Sequence, residues 1–228
     1  MFLAVIFLLP ALPLLAQPAR VGSSVHHDLS PRLRDIPLIP PPPWTTIREM
    51  PEPREEVTEG PPRPPVSDPV AQRYFTRGNA VSAMPSAIVN FDGGGNLEGV
   101  YPPDTNGDVG PNHYVQFINL HFQVFNKSGV SLYGPALGKT LWTGFGGPCD
   151  TRNDGDPIAL YDPIADRWIM SQFVAASPFG QCIAVSQTPD PTGAWYRYFF
   201  QFSTTVFYDY PKFGVWPDGY YMSANRFT

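Results

Sequence analysis

Asp154-Gly155-Asp156-Pro157-Ile158-Ala159-Leu160-Tyr161-Asp162-Pro163-Ile164-Ala165-Asp166-Arg167-Trp168-Ile169-Met170-Ser171-Gln172-Phe173 reads as an acidic loop, a short strand ending at Tyr161, a tight turn on Asp162-Pro163 and a second strand from Arg167. The apolar runs are too short for helices, and Asp, Gly and Pro punctuate them. A similar pattern stands on either side at nearly constant spacing, which points to a repeat fold.

The repeat is read by subtraction. An Asp opening an apolar segment stands at Asp104, Asp156 and Asp209, at intervals of 52 and 53 residues. A second mark, an Asn or Asp followed two residues later by an aromatic, stands at Asn112, Asp166 and Asp218, at intervals of 54 and 52. A period near 53 is too long for leucine-rich or helical solenoid repeats and falls in the range of a four-stranded propeller blade. Nothing between the marks sustains a helical period. The sequence therefore predicts an all-β chain of four-stranded β-propeller blades, incomplete in this chain and preceded by a disordered Pro-rich segment.

Residues 1–16 are an apolar run broken by Pro10 and Pro13, the length of a signal peptide's apolar core and short for a membrane span. Residues 1–19 are expected to be a signal peptide cleaved near Ala16 or Ala19, leaving a secreted or cell-surface chain with no transmembrane span. The departure from the usual pattern is that no Lys or Arg precedes Arg20. Residues 20–69 are different material, with 13 prolines in the 39 residues from Pro31 to Pro69 and few large apolar side chains. Such a stretch does not recover its ordering entropy and is expected to be a disordered spacer. A docking tract for an SH3-like partner is the other reading.

Residues 70–228 are expected to hold about two and a half blades. A strand over 87–92 is read as the one that closes the ring. The first unit opens at Asp104 and has strands over 113–120, 122–126 and 130–133. The second has strands over 158–161, 168–173, 182–187 and 195–202. The third begins at Asp209 and stops within or just after its second strand. An open pair of blades leaves strand edges and a sheet face uncovered. The expectation is a longer product, or self-association if the stop is genuine.

Cys149 and Cys182 are the two cysteines, and an even count in an exported chain predicts a disulfide. It would tie the acidic loop to the following strand. Asp104-Thr105-Asn106-Gly107-Asp108 alternates oxygen side chains around a Gly, as a calcium loop begins, although no Glu stands at its twelfth position. Asp150, Asn153, Asp154 and Asp156 make a second oxygen-rich loop one period later. The candidate calcium ligands are Asp104, Asn106, Asp108, Asp154 and Asp156, with plain Asp/Asn turns as the alternative. If Asp104, Asp156 and Asp209 start equivalent strands, they meet near one end of a central channel. There they raise one another's pKa or attract a cation, as ligand-binding carboxylates. A repeated strand-entry cap is the competing account.

The segment from Pro103 to Val115, with Gly155-Asp156-Pro157 and Asp209-Tyr210-Pro211-Lys212, resembles a family of exported bacterial β-propeller proteins of uncharacterised function. The resemblance covers roughly residues 85–228 and implies fold and location without an activity. Thr188-Pro189-Asp190-Pro191-Thr192-Gly193-Ala194-Trp195 resembles a sialidase Asp-box, which sits on the hairpin between the last two strands of a blade. It departs by one extra residue between Asp190 and Gly193 and by lacking a Thr before the Trp. Sialidase activity is not implied.

The sequence has no Gly-x-Ser-x-Gly, His-Glu-x-x-His or phosphate loop. His113 and His121 are evenly spaced and are read as sharing a strand face. At a net charge of −5 with no Lys/Arg cluster, nucleic acid is not an expected partner. The leading expectation is a non-catalytic secreted or surface propeller for adhesion or ligand binding, stabilised by calcium, with carbohydrate or a surface protein as partner. Tyr208, Tyr210 and Trp216 are candidates to stack on a sugar. A glycoside hydrolase or lyase using Asp104, Asp156 and Asp209 is the first alternative, and a protein-interaction scaffold the second.

Overall fold

The computed structural model describes residues 22–43, 48–49 and 85–227. The expected signal peptide and most of the proline-rich tract lie outside them. In chain order the strands are β1 (His26–Leu29), β2 (Arg48–Glu49), β3 (Val100–Tyr101), β4 (Asn106–Val109), β5 (His113–Ile118), β6 (His121–Asn126), β7 (Ser131–Leu137), β8 (Ile158–Asp162), β9 (Arg167–Val174), β10 (Phe179–Ser186), β11 (Trp195–Ser203), β12 (Phe207–Trp216) and β13 (Gly219–Phe227). Among the described residues the one α-helix, α1 (Gly147–Thr151), lies between β7 and β8, and single 3-10 turns stand at Leu33–Asp35 and Gly138–Trp142. The all-β reading holds among the described residues.

The sheets follow sequence order. β4-β5-β6-β7 is an antiparallel meander, β8-β9-β10-β11 is another with β1 added outside β11, and β12-β13 is a hairpin. β2 and β3 make a two-residue parallel contact. None of the described sheets closes on itself. The four strands expected in the second unit are all present. The first unit gains one that the sequence reading lacked, because residues 106–109, read as a metal loop, pair with β5 as an edge strand.

Alternation builds the core between the two meanders. Val115 and Phe117 stand opposite Val124 and Phe122 on one face of the first sheet, and Ala159, Met170 and Ala184 line one face of the second. Both faces enter one cluster with Trp142, Trp168, Trp195 and the buried cysteines. Burying each large side chain contributes about 1.5–3 kcal/mol. Trp168 and Trp195 also need partners for their indole N–H groups. They donate to Pro189 O at 3.1 Å and Pro191 O at 2.9 Å, which pins the β10–β11 turn. That turn is the Asp-box-like segment, where the expected hairpin lies. Cys149 and Cys182 form the predicted disulfide, joining α1 to β10.

The residues between 22 and 43 depart from the spacer expectation. β1 pairs with β11, Arg197 donates to both carboxylate oxygens of Asp28 at 2.8 and 2.6 Å, and Leu33 and Ile36 are buried in the core. The arm then crosses to the other meander, where Leu137 N–H donates to Ile39 O at 2.8 Å and Tyr133 O–H to Ile36 O at 3.1 Å. Between its prolines the arm also docks through its own amides, since the N–H groups of Val25, Ser30, Leu33 and Arg34 donate to the carbonyls of Phe199, Trp195, Gly193 and Thr192. Two apolar residues and an ion pair supply what the composition average conceals.

Residues 87–92 form no strand, and β1 holds the outer edge of the second sheet instead. Ile88 is fully exposed and Val89 half exposed, so the segment lacks a buried alternating face. Phe91 alone docks, against Tyr114 and Phe125. His113 and His121 do not share a face either. Asn119 and Leu120 turn the chain, His121 opens β6 opposite Ile118, and His113 has the other parity on β5.

Candidate functional site

Successive units touch through their first strands. Ala159 N–H donates to Asn106 Oδ1 at 2.6 Å and Tyr161 N–H to Asp108 Oδ2 at 2.8 Å, both across 53 residues. Asn106 and Asp108 are two apart on β4, so they present one face to β8. The next step is Tyr210 N–H to Asp156 Oδ2 at 3.0 Å, across 54 residues. The added residue is a bulge, since Asp209 pairs with Asn225 and Lys212 with Ser223, three steps on β12 against two on β13.

These contacts bring Asp104, Asp156 and Asp209 together. A cavity of about 100 Å³ is lined by Asp104, Asn106, Asp156, Tyr210 and Lys212 with neighbouring Thr105, Pro157 and Pro211. Burial pushes the Asp156 carboxyl up to about 7, helped by the negative charges of Asp209 and Asp104 and by a hydrogen bond with the Asp209 carboxyl. The Tyr210 amide opposes the rise. Lys212 brings positive charge to the rim, its ammonium 3.5 Å from the centre of the Tyr210 ring.

The backbone is unusual at the same place. Asp104, Asn119, Asp156 and Tyr210 have φ of 41°, 35°, 44° and 52°, four of the five described non-glycine residues with positive φ. Asp and Asn accept the left-handed region more readily than other side chains, whereas Tyr210 is held there against its preference. Such residues gather where surrounding contacts over-determine a functional geometry.

The expected calcium ligands divide. Asp104, Asn106 and Asp156 line the cavity, whereas Asp108 is turned to the Tyr161 amide. Asp154 accepts from Arg152 Nε at 2.6 Å and Ala175 N–H at 2.8 Å, which holds the end of β9. Asp150 accepts from the amides of Gly144 and Gly146 and fixes the turn before α1. Tyr208 and Trp216 lie on β12 away from the lining, and of the three aromatic candidates Tyr210 alone reaches the cavity. The sequence reading offers Tyr210 only as a stacking aromatic and does not reach Lys212, although Pro gives the signal: Asp156-Pro157 and Tyr210-Pro211 align at a spacing of 54. Asn119 was read inside a strand. No protein-family model, curated protein or solved structure matches the chain.

Proposed function

We propose that the chain is an exported β-propeller-type binding module without catalytic activity, whose ligand site is the acidic cavity between its successive units. The observation that carries this reading is the meeting of Asp104 and Asp156, from two successive units, in a single cavity, with Asp209 of the third set against the Asp156 carboxyl. A negative, partly buried site of this size suits a compact cationic group, an ammonium or a calcium ion, which would displace the proton on Asp156. Export is supported by the apolar start and by the disulfide. Among the described residues no helix is long and apolar enough to cross a membrane.

The test is thermal unfolding at about pH 8, with calcium chloride and, separately, methylammonium chloride as probes. A rise in Tm with either probe that is lost in Asp156→Asn supports the reading. No rise with either probe sinks it.

The raised carboxyl beside other carboxylates is also what a glycoside hydrolase would use. Such enzymes hold their two carboxyl groups about 5–9.5 Å apart, around the sugar or its water. Asp156 and Asp209 are in hydrogen-bond contact, which leaves no room between them, so the binding reading is the better supported.

A further inference from the structure

Asn119 touches both loops that deliver the acidic residues. Its Nδ2 donates to Asp104 Oδ2 at 2.8 Å and to Pro102 O at 2.9 Å. Its Oδ1 faces Gly155, the residue before Asp156, so closely that a Cβ on that glycine would lie 2.2 Å away. Asn119 is 2% exposed, and this Oδ1 has no hydrogen-bond partner among the described residues. The amide has no better orientation, because turning it over would point Oδ1 at two oxygens and waste both donors. The turn beneath it is pinned to the second unit as well, since Leu120 O accepts from Asn153 Nδ2 at 2.9 Å.

We infer that Asn119 is a positioning residue that holds the Asp104 loop and the Gly155-Asp156 loop in one fixed arrangement, with functional weight that rests on the cavity reading above. The positive φ of Asn119 is what the first residue of a two-residue β5–β6 hairpin ordinarily adopts. The hairpin does not, however, call for a buried acceptor left without a donor, which is unfavourable. What the buried amide secures is the separation between the carboxylates of two repeat units. Asp104, Asp209 and Lys212 are the charged groups around Asp156 that respond to that separation.

The test follows the carboxyl carbons of Asp104, Asp156 and Asp209 by NMR through a pH titration, in Asn119→Gly and Asn119→Asp. Glycine keeps the positive φ and removes the amide. The Asp104 loop then slackens, water enters, and the Asp156 midpoint falls by about half a pH unit or more. Aspartate keeps shape and backbone preference but sets a negative charge against Asp104, and the midpoint rises by a similar amount. Unchanged midpoints in the folded variants would overturn the inference by reducing Asn119 to a turn former. If the glycine variant does not fold, the aspartate variant decides alone. Because the titration uses no ligand, a failure of calcium or methylammonium to bind would remove the cavity reading and leave this result standing.

Discussion

Asp156 and Asp209 are joined by a hydrogen bond between their carboxyl groups, although one stands before β8 and the other lies in β12. Such a bond requires a proton on one of the two. The join between the second unit and the hairpin is therefore sensitive to pH, and the direction follows from proton counting.

Asp156 has an ordinary value of 3.8 when unfolded and is pushed up to about 7 here, so between those values the native chain binds more protons than the unfolded one. Stability supplied by the protonated form is complete below about pH 4 and is lost as pH rises through about 7. Burial would also raise Asp162 and Asp190, but their hydrogen bonds hold both below the ordinary value, so their own losses fall at more acid pH. Thermal scans between about pH 5 and 8 should show Tm falling in the native chain and nearly flat in Asp156→Asn. Equal slopes would show that Asp156 is not the group responsible.

Gly155→Ala should cost about 2 kcal/mol or more, read from urea midpoints. The position has φ of 103°, and the new Cβ would strike Asn119 Oδ1. Gly147→Ala is the control. Its φ is 64°, but no atom lies within 4 Å of the added carbon, so backbone strain alone of about 1 kcal/mol is expected. Similar losses at both would mean that the Asn119 contact is soft.

Replacing both Cys149 and Cys182 by Ala should lower stability by about 2–4 kcal/mol through the freed loop, since the bridge spans 33 residues. Both side chains are buried in the main cluster, so a packing loss adds to the loop term. Equilibrium urea unfolding measures the sum, and a loss near zero would contradict the account.

Arg197→Met should release the arm. The guanidinium is 2% exposed and donates to Asp28, Leu141 O and Thr143 O, so removing it leaves a carboxylate and two carbonyls without that partner. The Asp28 side chain is 30% exposed and regains water, so the loss is about 1.5–3 kcal/mol, below that of a fully buried pair. Tryptic cleavage after Arg32 and Arg34 should accelerate, and an unchanged cleavage rate would argue that β1 pairing holds the arm without the ion pair.

The second unit was legible in the sequence almost strand by strand, because its apolar runs alternate and are bounded by Asp, Gly and Pro. The convergence of the three acidic residues was legible too, since a fixed interval in a repeat becomes proximity when units stand side by side. β4 was not legible at Asn106 and Asp108, because a strand whose side chains accept from the next unit's backbone carries the same oxygen-rich alternation as a metal loop. Asn119 was hidden by the apolar residues around it. Tyr210 was legible as an aromatic but not as the counterpart of Asp156, because the carboxylate and the positive-φ position coincide at Asp104 and Asp156 but separate at the bulge. The arm was obscured by its prolines, because the docking groups are the few residues between them, Asp28, Leu33, Ile36 and Ile39.

The first strand of the arm is made early and paired late. Asp28 precedes Arg197 by 169 residues, and β1 has no partner until β11 has been synthesised. The other end of the arm has partners sooner, at Tyr133 and Leu137, so the arm ties the two sheets together only once β11 exists. A copy ending before Trp195 would keep the arm's contacts at Tyr133 and Leu137 but lack Arg197 and the β11 edge.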